Sequence, residues 1–570
     1  MTADIQPIAR HFLPTDFVVS TWESLEPYFK ELMDRNINSL TELEKWLQDT
    51  SELEAIVSED ACWRQIKMTC DTENESLVAS FNYFMMEIQP KIQPYSDLLN
   101  RKLIDNPYTK DLKDPAWFTY LRNVKKNIEL FRESNISLQS ELAVEAQQFG
   151  VISGKMGVTV QGKEFTLQQA AKFLEDPDRN LREEVYRKIN DRRLEDKEAL
   201  NSLFDSLLQK RHQVALNAGF ENYRDYRFAE LGRFDYTKED CFQFHEAVKQ
   251  HVLPIVDEIY QKKKANLGLE NLYPWDIDAE PAGTTPLKPF KDGAELLQKT
   301  KQCFSMLNPF FANCLQKMDE MNRFDLESRK GKAPGGYNCP LTETGAPFIF
   351  MNAAGTLNDV ITMVHEGGHA IHSFLSHPLE LTGFKEYPTE FAEVASMSME
   401  LFSMNEWGVF FEHEEELSRA KEQHLERVLT IFPWIATIDK FQQWVYEHPT
   451  HSAEEREENW KRILDEFTPK TLDTTGLDQY RIYNWQRQLH LFEVPFYYIE
   501  YGIAQLGAIG LWQQFQNNRE QALANYTGAL SLGGTRTLPQ LFEAAGLKFD
   551  LSPHHIKGLM EFVHEELRRI

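Results

Sequence analysis

The amino-acid sequence predicts a mainly α-helical protein, and three observations carry that expectation. From Ser20 to about Phe149 amphipathic segments repeat, for example ESLEPYFKELMDR and SLTELEKWLQDTSELEAIVS, broken by Asn, Asp or Pro. Helical periodicity returns at TLQQAAKFLEDPDRN and runs on into the long carboxy-terminal half. Strand signals are confined to two short stretches.

The first of these is MGVTVQGKEF, Met156 to Phe165, where β-branched and polar residues alternate about a Gln-Gly turn and predict a hairpin. The helices beyond it break once near Asp176-Pro177. Ala265 to Phe290, rich in Pro, Gly, Asp and Asn, predicts a long loop, and Ser328 to Gly345 with its glycines and prolines predicts another. The second loop ends in APFIFMN, a short apolar run bounded by Gly and Asn that reads as a strand. The next segment, GTLNDVITMVHEGGHAIHSFLSH, has apolar residues at helical spacing and Thr356 or Asn358 as its cap. The expected organisation is a helical amino-terminal region with a hairpin over 1–185 and a catalytic region over 186–570.

Composition narrows the function classes. A chain of 570 residues with 42% hydrophobic and 26% charged residues buries a sizeable core and is not disordered. Its 88 acidic against 61 basic residues leave a formal charge of −27, which repels phosphate backbones and anionic head groups. Nucleic acid and membrane surfaces are therefore not expected partners. Six scattered cysteines form no C-x-x-C pair and no disulfide framework. The amino terminus, MTADIQPIARHFLP, carries no export signal, and no apolar run is long enough to span a membrane. A cytoplasmic location is the expectation.

One constellation carries chemistry. Residues four apart on a helix lie about 40° apart around its axis, so His365 and His369 project from one face and can reach one cation. Glu366 sits about 100° from His365, beside such a cation, where it can take a proton from metal-bound water. This is the H-E-x-x-H arrangement of zinc sites. Gly367 and Gly368 each cost the helix interior roughly 1 kcal/mol relative to Ala; they leave room for a substrate or another helix to come close.

A catalytic zinc takes three protein ligands and keeps one position open. The helical segment TEFAEVASMSMEL offers Glu390, Glu393 and Glu400. Glu393, among Phe391, Ala392, Val394 and Ala395, reads as a partly buried carboxylate that needs a cation and is the expected third ligand. Glu400, seven residues on along the same face, is a candidate partner for a ligand, while a solvated face is the alternative for Glu390 and Glu400. In QRQLHLFEVPFYYIEYGIAQLGAIGLW, His490, Val494, Tyr497 and Tyr501 stand at helical spacing, with Pro495 distorting or starting the helix. They read either as donors aimed at an oxyanion or as a buried aromatic stripe with satisfied hydroxyls.

These residues resemble the oligoendopeptidase F and Pz-peptidase group of the thimet-type zinc oligopeptidases. The matching pieces are MVHEGGHAIH at 363–372, TEFAEVASMSME at 389–400 and HLFEVPFYYIEY at 490–501, within a resemblance spanning roughly 200–565. The double glycine resembles the Pz-peptidase branch. The resemblance implies a large helical, saddle- or clam-shaped zincin with a deep substrate channel and a small β-sheet beside the H-E-x-x-H helix. It implies an endopeptidase for internal bonds of short peptides, one zinc ion on His365, His369 and Glu393, and Glu366 as the general base. His490 and Tyr497 match transition-state donors, with Tyr501 a further, weaker match, and which of Tyr497, Tyr498 and Tyr501 faces the oxyanion is left open. It also implies that the strand APFIFMN pairs with the substrate backbone. No G-x-M-E-N stretch of the kind that holds a free amine in zinc aminopeptidases is present.

Overall fold

A computed structural model describes residues 5, 7–281, 283–329 and 331–570. Residues 1–4 and 6, part of the stretch read for an export signal, and residues 282 and 330, within the two expected loops, lie outside the described residues. The architecture is mainly helical with two small sheets. No helix among the described residues is long and apolar enough to cross a membrane.

The amino-terminal helices include Trp22–Asp34, Leu40–Cys70, Gln89–Asp105 and Ala116–Leu130. Their apolar faces, with Leu25, Phe29, Trp46, Phe84 and Leu99 among them, close a core that Leu381 and Phe384 of the carboxy-terminal half complete. Ser39 caps the long helix Leu40–Cys70 by accepting from the Glu42 amide. That helix also ties the two halves together: Ser51 bonds the Thr382 hydroxyl at 2.9 Å, Glu59 accepts from the Thr344 amide at 2.8 Å, and Thr69 meets the Tyr337 hydroxyl at 2.6 Å.

The hairpin is present as β1 (Gly157–Val160) and β2 (Lys163–Thr166), antiparallel, with Val160 opposite Lys163. Gln161 and Gly162 at its tip have φ of 50° and 78°, the left-handed pair that a two-residue turn between twisted strands requires. The second sheet is built from β3 (Phe324–Glu327), β4 (Tyr337–Cys339) and β5 (Phe348–Ala353) in the order β3-β5-β4. β5 is the expected APFIFMN strand. Its place in the order corrects one expectation: β5 is parallel to β3 on one side and antiparallel to β4 on the other, so both its edges are already paired. The open edge beside the histidine helix belongs to β4, whose Asn338 amide reaches the Glu366 carbonyl at 3.2 Å. β4 itself lies inside the segment expected to be only a loop.

Three helices carry the chemistry-bearing segments: Leu357–Ser376, here the His helix; Thr389–Ser403, the Glu helix; and Tyr498–Asn517, the Tyr helix. Thr356, not Asn358, caps the His helix, in a capping box with Asp359. The spacing from His490 to Tyr501 suggests one continuous helix, but there are two: Leu489–Glu493 ends at a non-helical Val494, and the Tyr helix starts only after Phe496, whose φ is 68°. A left-handed phenylalanine needs external support. Gln442 accepts from the Phe496 amide at 2.6 Å, and Arg233 donates to its carbonyl.

Arg233 is buried and does more than hold that kink. It ion-pairs with Glu500 of the Tyr helix at 2.9 Å and comes within 4.0 Å of Glu390 of the Glu helix, which also accepts from the Tyr236 hydroxyl at 2.7 Å. One cation thus bridges the kink and both helices. Burial pushes the Glu500 carboxyl up to about 8 even beside Arg233, and the neighbouring Glu390 adds to the push. Removing one partner of such a set leaves charge buried and uncompensated. Arg233→Met is expected to cost about 3–5 kcal/mol of unfolding free energy, measured by denaturant titration. A loss under about 1 kcal/mol would mean that the cluster is solvated and does not hold the kink.

Candidate metal centre

Helix spacing alone sets His365 and His369 side by side, with ring centroids 5.0 Å apart and planes nearly perpendicular. Glu393 comes from the Glu helix, and its approach depends on a missing side chain. A Cβ at Gly368 would lie 2.6 Å from the Ala395 carbonyl oxygen and the Ser396 Cα, so the two helices touch backbone to backbone there. At Gly367 a Cβ would lie 2.7 Å from the ring of Phe304, on the helix Gly293–Leu307. The sequence left open whether the glycines make room for substrate or for another helix. Both admit a neighbouring helix.

The result is a convergent donor set. One ligand atom each from His365, His369 and Glu393 lies within 4.8 Å of the others. Glu393 Oε2 is 3.3 Å from His365 Nε2 and 3.6 Å from His369 Nε2, while its Oε1 accepts from the Tyr497 hydroxyl at 2.6 Å. Ser396 donates to Oε2 at 3.0 Å, and no Lys or Arg among the described residues pairs with this buried carboxylate. Burial alone would raise the Glu393 carboxyl, but the two imidazoles and the Tyr497 hydroxyl hold it down at about 2.

Behind His365, Glu400 Oε1 meets Nδ1 at 2.7 Å, which leaves Nε2 to face Glu393. The other Glu400 oxygen is 3.8 Å from the buried His424, itself packed against Trp407. The solvated alternative therefore fails for Glu400, which is engaged by imidazole, and for Glu390, which is buried on Tyr236 and Arg233. Burial pulls His369 down to about 4 despite Glu393. Burial also acts against the charged form of His365, but Glu393 and Glu400 together raise it well above the ordinary histidine value.

Glu366 stands beside this set with one carboxylate oxygen, Oε2, buried and without a hydrogen-bond partner among the described residues. Burial pushes its carboxyl up to about 7, with His365 opposing and Glu393 and Glu400 adding. Across from it the kink before the Tyr helix brings His490 and the tyrosines together even though they share no continuous helical face. His490 Nε2 is 3.4 Å from the Tyr501 hydroxyl, and the Tyr497 and Tyr501 rings are 5.1 Å apart.

The tautomer of His490 follows from its neighbours. The Trp434 indole can only donate, and it donates to Gln488 Oε1 at 3.0 Å, so the Gln488 amide nitrogen donates to His490 Nδ1 at 2.7 Å. The ring proton is left on Nε2, which faces Tyr501. Burial pulls His490 down to about 4, so the ring stays neutral near pH 7. Trp434, His424 and Arg233 were not singled out from sequence because their partners Gln488, Glu400 and Phe496 lie far away in the chain, whereas Gln488 and Ser396, two and three residues from His490 and Glu393, belong to no motif that marks them.

The arrangement offers a place for one divalent cation with two nitrogen donors and one oxygen donor, a buried unpaired carboxylate next to it, and neutral donors opposite. Such a set suits zinc, which favours imidazole and carboxylate and in catalytic sites keeps a fourth position open.

A model of peptidase family M3 matches residues 172–560, and a model of the peptidase M3 N-terminal domain matches 12–131. An oligoendopeptidase F homolog of Borreliella burgdorferi is 23% identical over 537 residues, covering 89% of this chain and 85% of that protein. Oligopeptidase PepF of Bacillus subtilis is 22% identical over 71% of this chain and 59% of its own length. Among solved structures, a putative oligoendopeptidase F has a TM-score of 0.91 at 27% identity over 99% of both chains. PZ peptidase A with an inhibitor has a TM-score of 0.90 at 26% identity, covering 98% of this chain and 99% of that one.

The contact at Gly368 can be tested by sign. At an open helix position Ala in place of Gly stabilises by about 1 kcal/mol, whereas here Gly368→Ala is expected to destabilise by about 1–3 kcal/mol through overpacking. Urea denaturation of the two proteins measures it, and a stabilised variant would contradict the backbone contact.

Proposed function

The chain belongs to peptidase family M3, in its oligoendopeptidase F and Pz-peptidase group, and from that premise we propose that it is a zinc-dependent endopeptidase cutting internal bonds of short peptides. Membership makes it a metallopeptidase that acts on oligopeptides. The observation that carries the finer reading is the convergence of two imidazole nitrogens and one carboxylate oxygen within 4.8 Å, next to a buried carboxylate oxygen without a partner. Two imidazoles and a carboxylate with no competing Lys or Arg fit zinc by number and chemistry.

His365, His369 and Glu393 hold one ion. Bound there, zinc supplies a Lewis acid that polarises a carbonyl and makes water acidic near neutrality. Glu400 fixes the ring of His365 so that Nε2 is the free donor, and Tyr497 and Ser396 fix Glu393. Glu366 accepts a proton from the attacking water and passes it to the leaving amine. A carboxyl raised by burial towards neutrality suits a group that must both take and give that proton.

Tyr501 and His490 face the developing oxyanion as neutral donors. Among the described residues the Tyr501 hydroxyl has only the long contact to His490, whereas the Tyr497 hydroxyl is engaged by Glu393, so Tyr501 is the freer donor and Tyr497 the residue that positions the ligand. Tyr498 packs edge-on against His490 at 4.9 Å and completes that wall. A cytoplasmic location is part of the same proposal; six cysteines without a disulfide suit a reducing compartment.

An internally quenched peptide blocked at both ends tests this reading, because only an endopeptidase cuts it. The unaltered protein is expected to cleave it, and Glu366→Gln to lower kcat by about 10²–10⁴-fold while the metal stays bound. Turnover by Glu366→Gln within a few-fold of the unaltered protein would remove Glu366 from the role of base.

A further inference from the structure

Away from the metal centre, the helices Leu40–Cys70 and Gln89–Asp105 enclose a cavity of about 300 Å³. Its floor is apolar and buried, formed by Trp46, Leu53, Phe84 and Leu103. Its polar lining is Thr50, whose hydroxyl donates to the Trp46 carbonyl at 2.8 Å, together with Glu54, Ser58, Gln89, Ser96, Asn100 and Tyr120, from whose side chains no hydrogen bond to another described residue is present. An apolar floor with a few convergent polar groups is the pattern of a ligand site, and this volume lies at the lower end of the range for such sites.

The cavity's Tyr120 and Glu54 turn towards the carboxy-terminal half. The Tyr120 ring lies against Gly383, where a Cβ would sit 2.4 Å from it, and its centroid is 5.7 Å from that of Phe384. Glu54 lies within electrostatic reach of Glu386, in the short stretch between this contact and the Glu helix, and Tyr387 next to it stacks on His372 of the His helix at 3.5 Å. The cavity thus adjoins the connection that leads into the metal centre. Glu54 is exposed to solvent at the open side of the cavity, near the Glu386 carboxylate, and among the described residues it forms no salt bridge. It is a carboxylate at the mouth of an apolar cavity without a cation.

We propose that this cavity is a substrate subsite that receives the amino-terminal residue of a peptide, whose ammonium group pairs with Glu54 while its side chain rests on the Trp46 and Leu53 floor. Charge complementarity selects an ammonium. Gln89 and Asn100 select a peptide terminus over a lysine side chain, because their free amides match a peptide unit and a lysine stem has nothing for them to bond. The subsite deepens the peptidase reading and rests on it for the identity of its ligand.

Binding to the Glu366→Gln protein tests it without cleavage. Calorimetric titration with Leu-Ala-Gly-Leu-Ala, once with a free and once with an acetylated amino terminus, is expected to show acetylation weakening binding about ten- to hundredfold, the worth of one charge-assisted hydrogen bond. Adding Glu54→Gln is expected to abolish that difference, and Ser96→Phe, which fills the cavity from a partly exposed helix position, to weaken the free peptide to the level of the acetylated one. Equal binding of the two peptides, a difference that survives Glu54→Gln, or no binding of either would overturn the subsite. So would an acetylated peptide with an internal lysine that binds like the free one, since the occupant would then be a lysine side chain. Cleavage by the unaltered protein separates the two readings: discrimination through Glu54 without cleavage removes the peptidase assignment alone, and cleavage without discrimination removes the subsite alone.

Discussion

Two helices that touch backbone to backbone carry the rest of this molecule's chemistry. Histidines four residues apart can face one cation from any helix, but a third donor from a second helix reaches them only if the helix axes come close. Gly368 permits that approach, because its missing Cβ leaves room for Ala395 and Ser396. The Glu393 carboxylate then falls between the two imidazoles and is buried there without Lys or Arg. Two glycines in a helix interior are unfavourable by roughly 1 kcal/mol each, a cost that the contacts of Gly367 with Phe304 and of Gly368 with the Glu helix offset.

The opposite wall has a different origin. His490 and the tyrosines meet because the chain breaks between two helices at a left-handed Phe496, and buried Arg233 holds that break while pairing with Glu500. The same guanidinium approaches Glu390, three residues before Glu393 on the Glu helix. Both walls are therefore referenced to one buried cation, so a shift of one wall is resisted by the other. Trp434 and Gln488 add a finer control, since they decide which nitrogen of His490 carries its proton.

Much of this was legible in the sequence where the signal is local. Amphipathic periodicity revealed the helices, Gln161-Gly162 the hairpin, and H-E-x-x-H the two histidines beside Glu366. Glu393 stood out because a carboxylate among Phe391, Ala392, Val394 and Ala395 has no reason to be there without a cation. What was not legible depends on residues distant in the chain. β4 is three residues long within a glycine- and proline-rich segment, too short for alternation to register, and its position makes APFIFMN a central strand. His490 and Tyr501 were expected on one helical face, and Pro495 was the only local sign of the break that replaces it. Arg233 reaches Phe496 and Glu500 over more than 260 residues, a separation at which no periodicity speaks.

The proposed metal site is the set His365, His369 and Glu393. X-ray absorption at the zinc edge, together with elemental analysis of the purified protein, tests it most directly. One zinc per chain with nitrogen and oxygen neighbours and no sulfur, lost from His369→Ala and from Glu393→Ala, is the result this geometry requires. Sulfur in the first coordination sphere, or full zinc content in both variants, would place the metal elsewhere and contradict it.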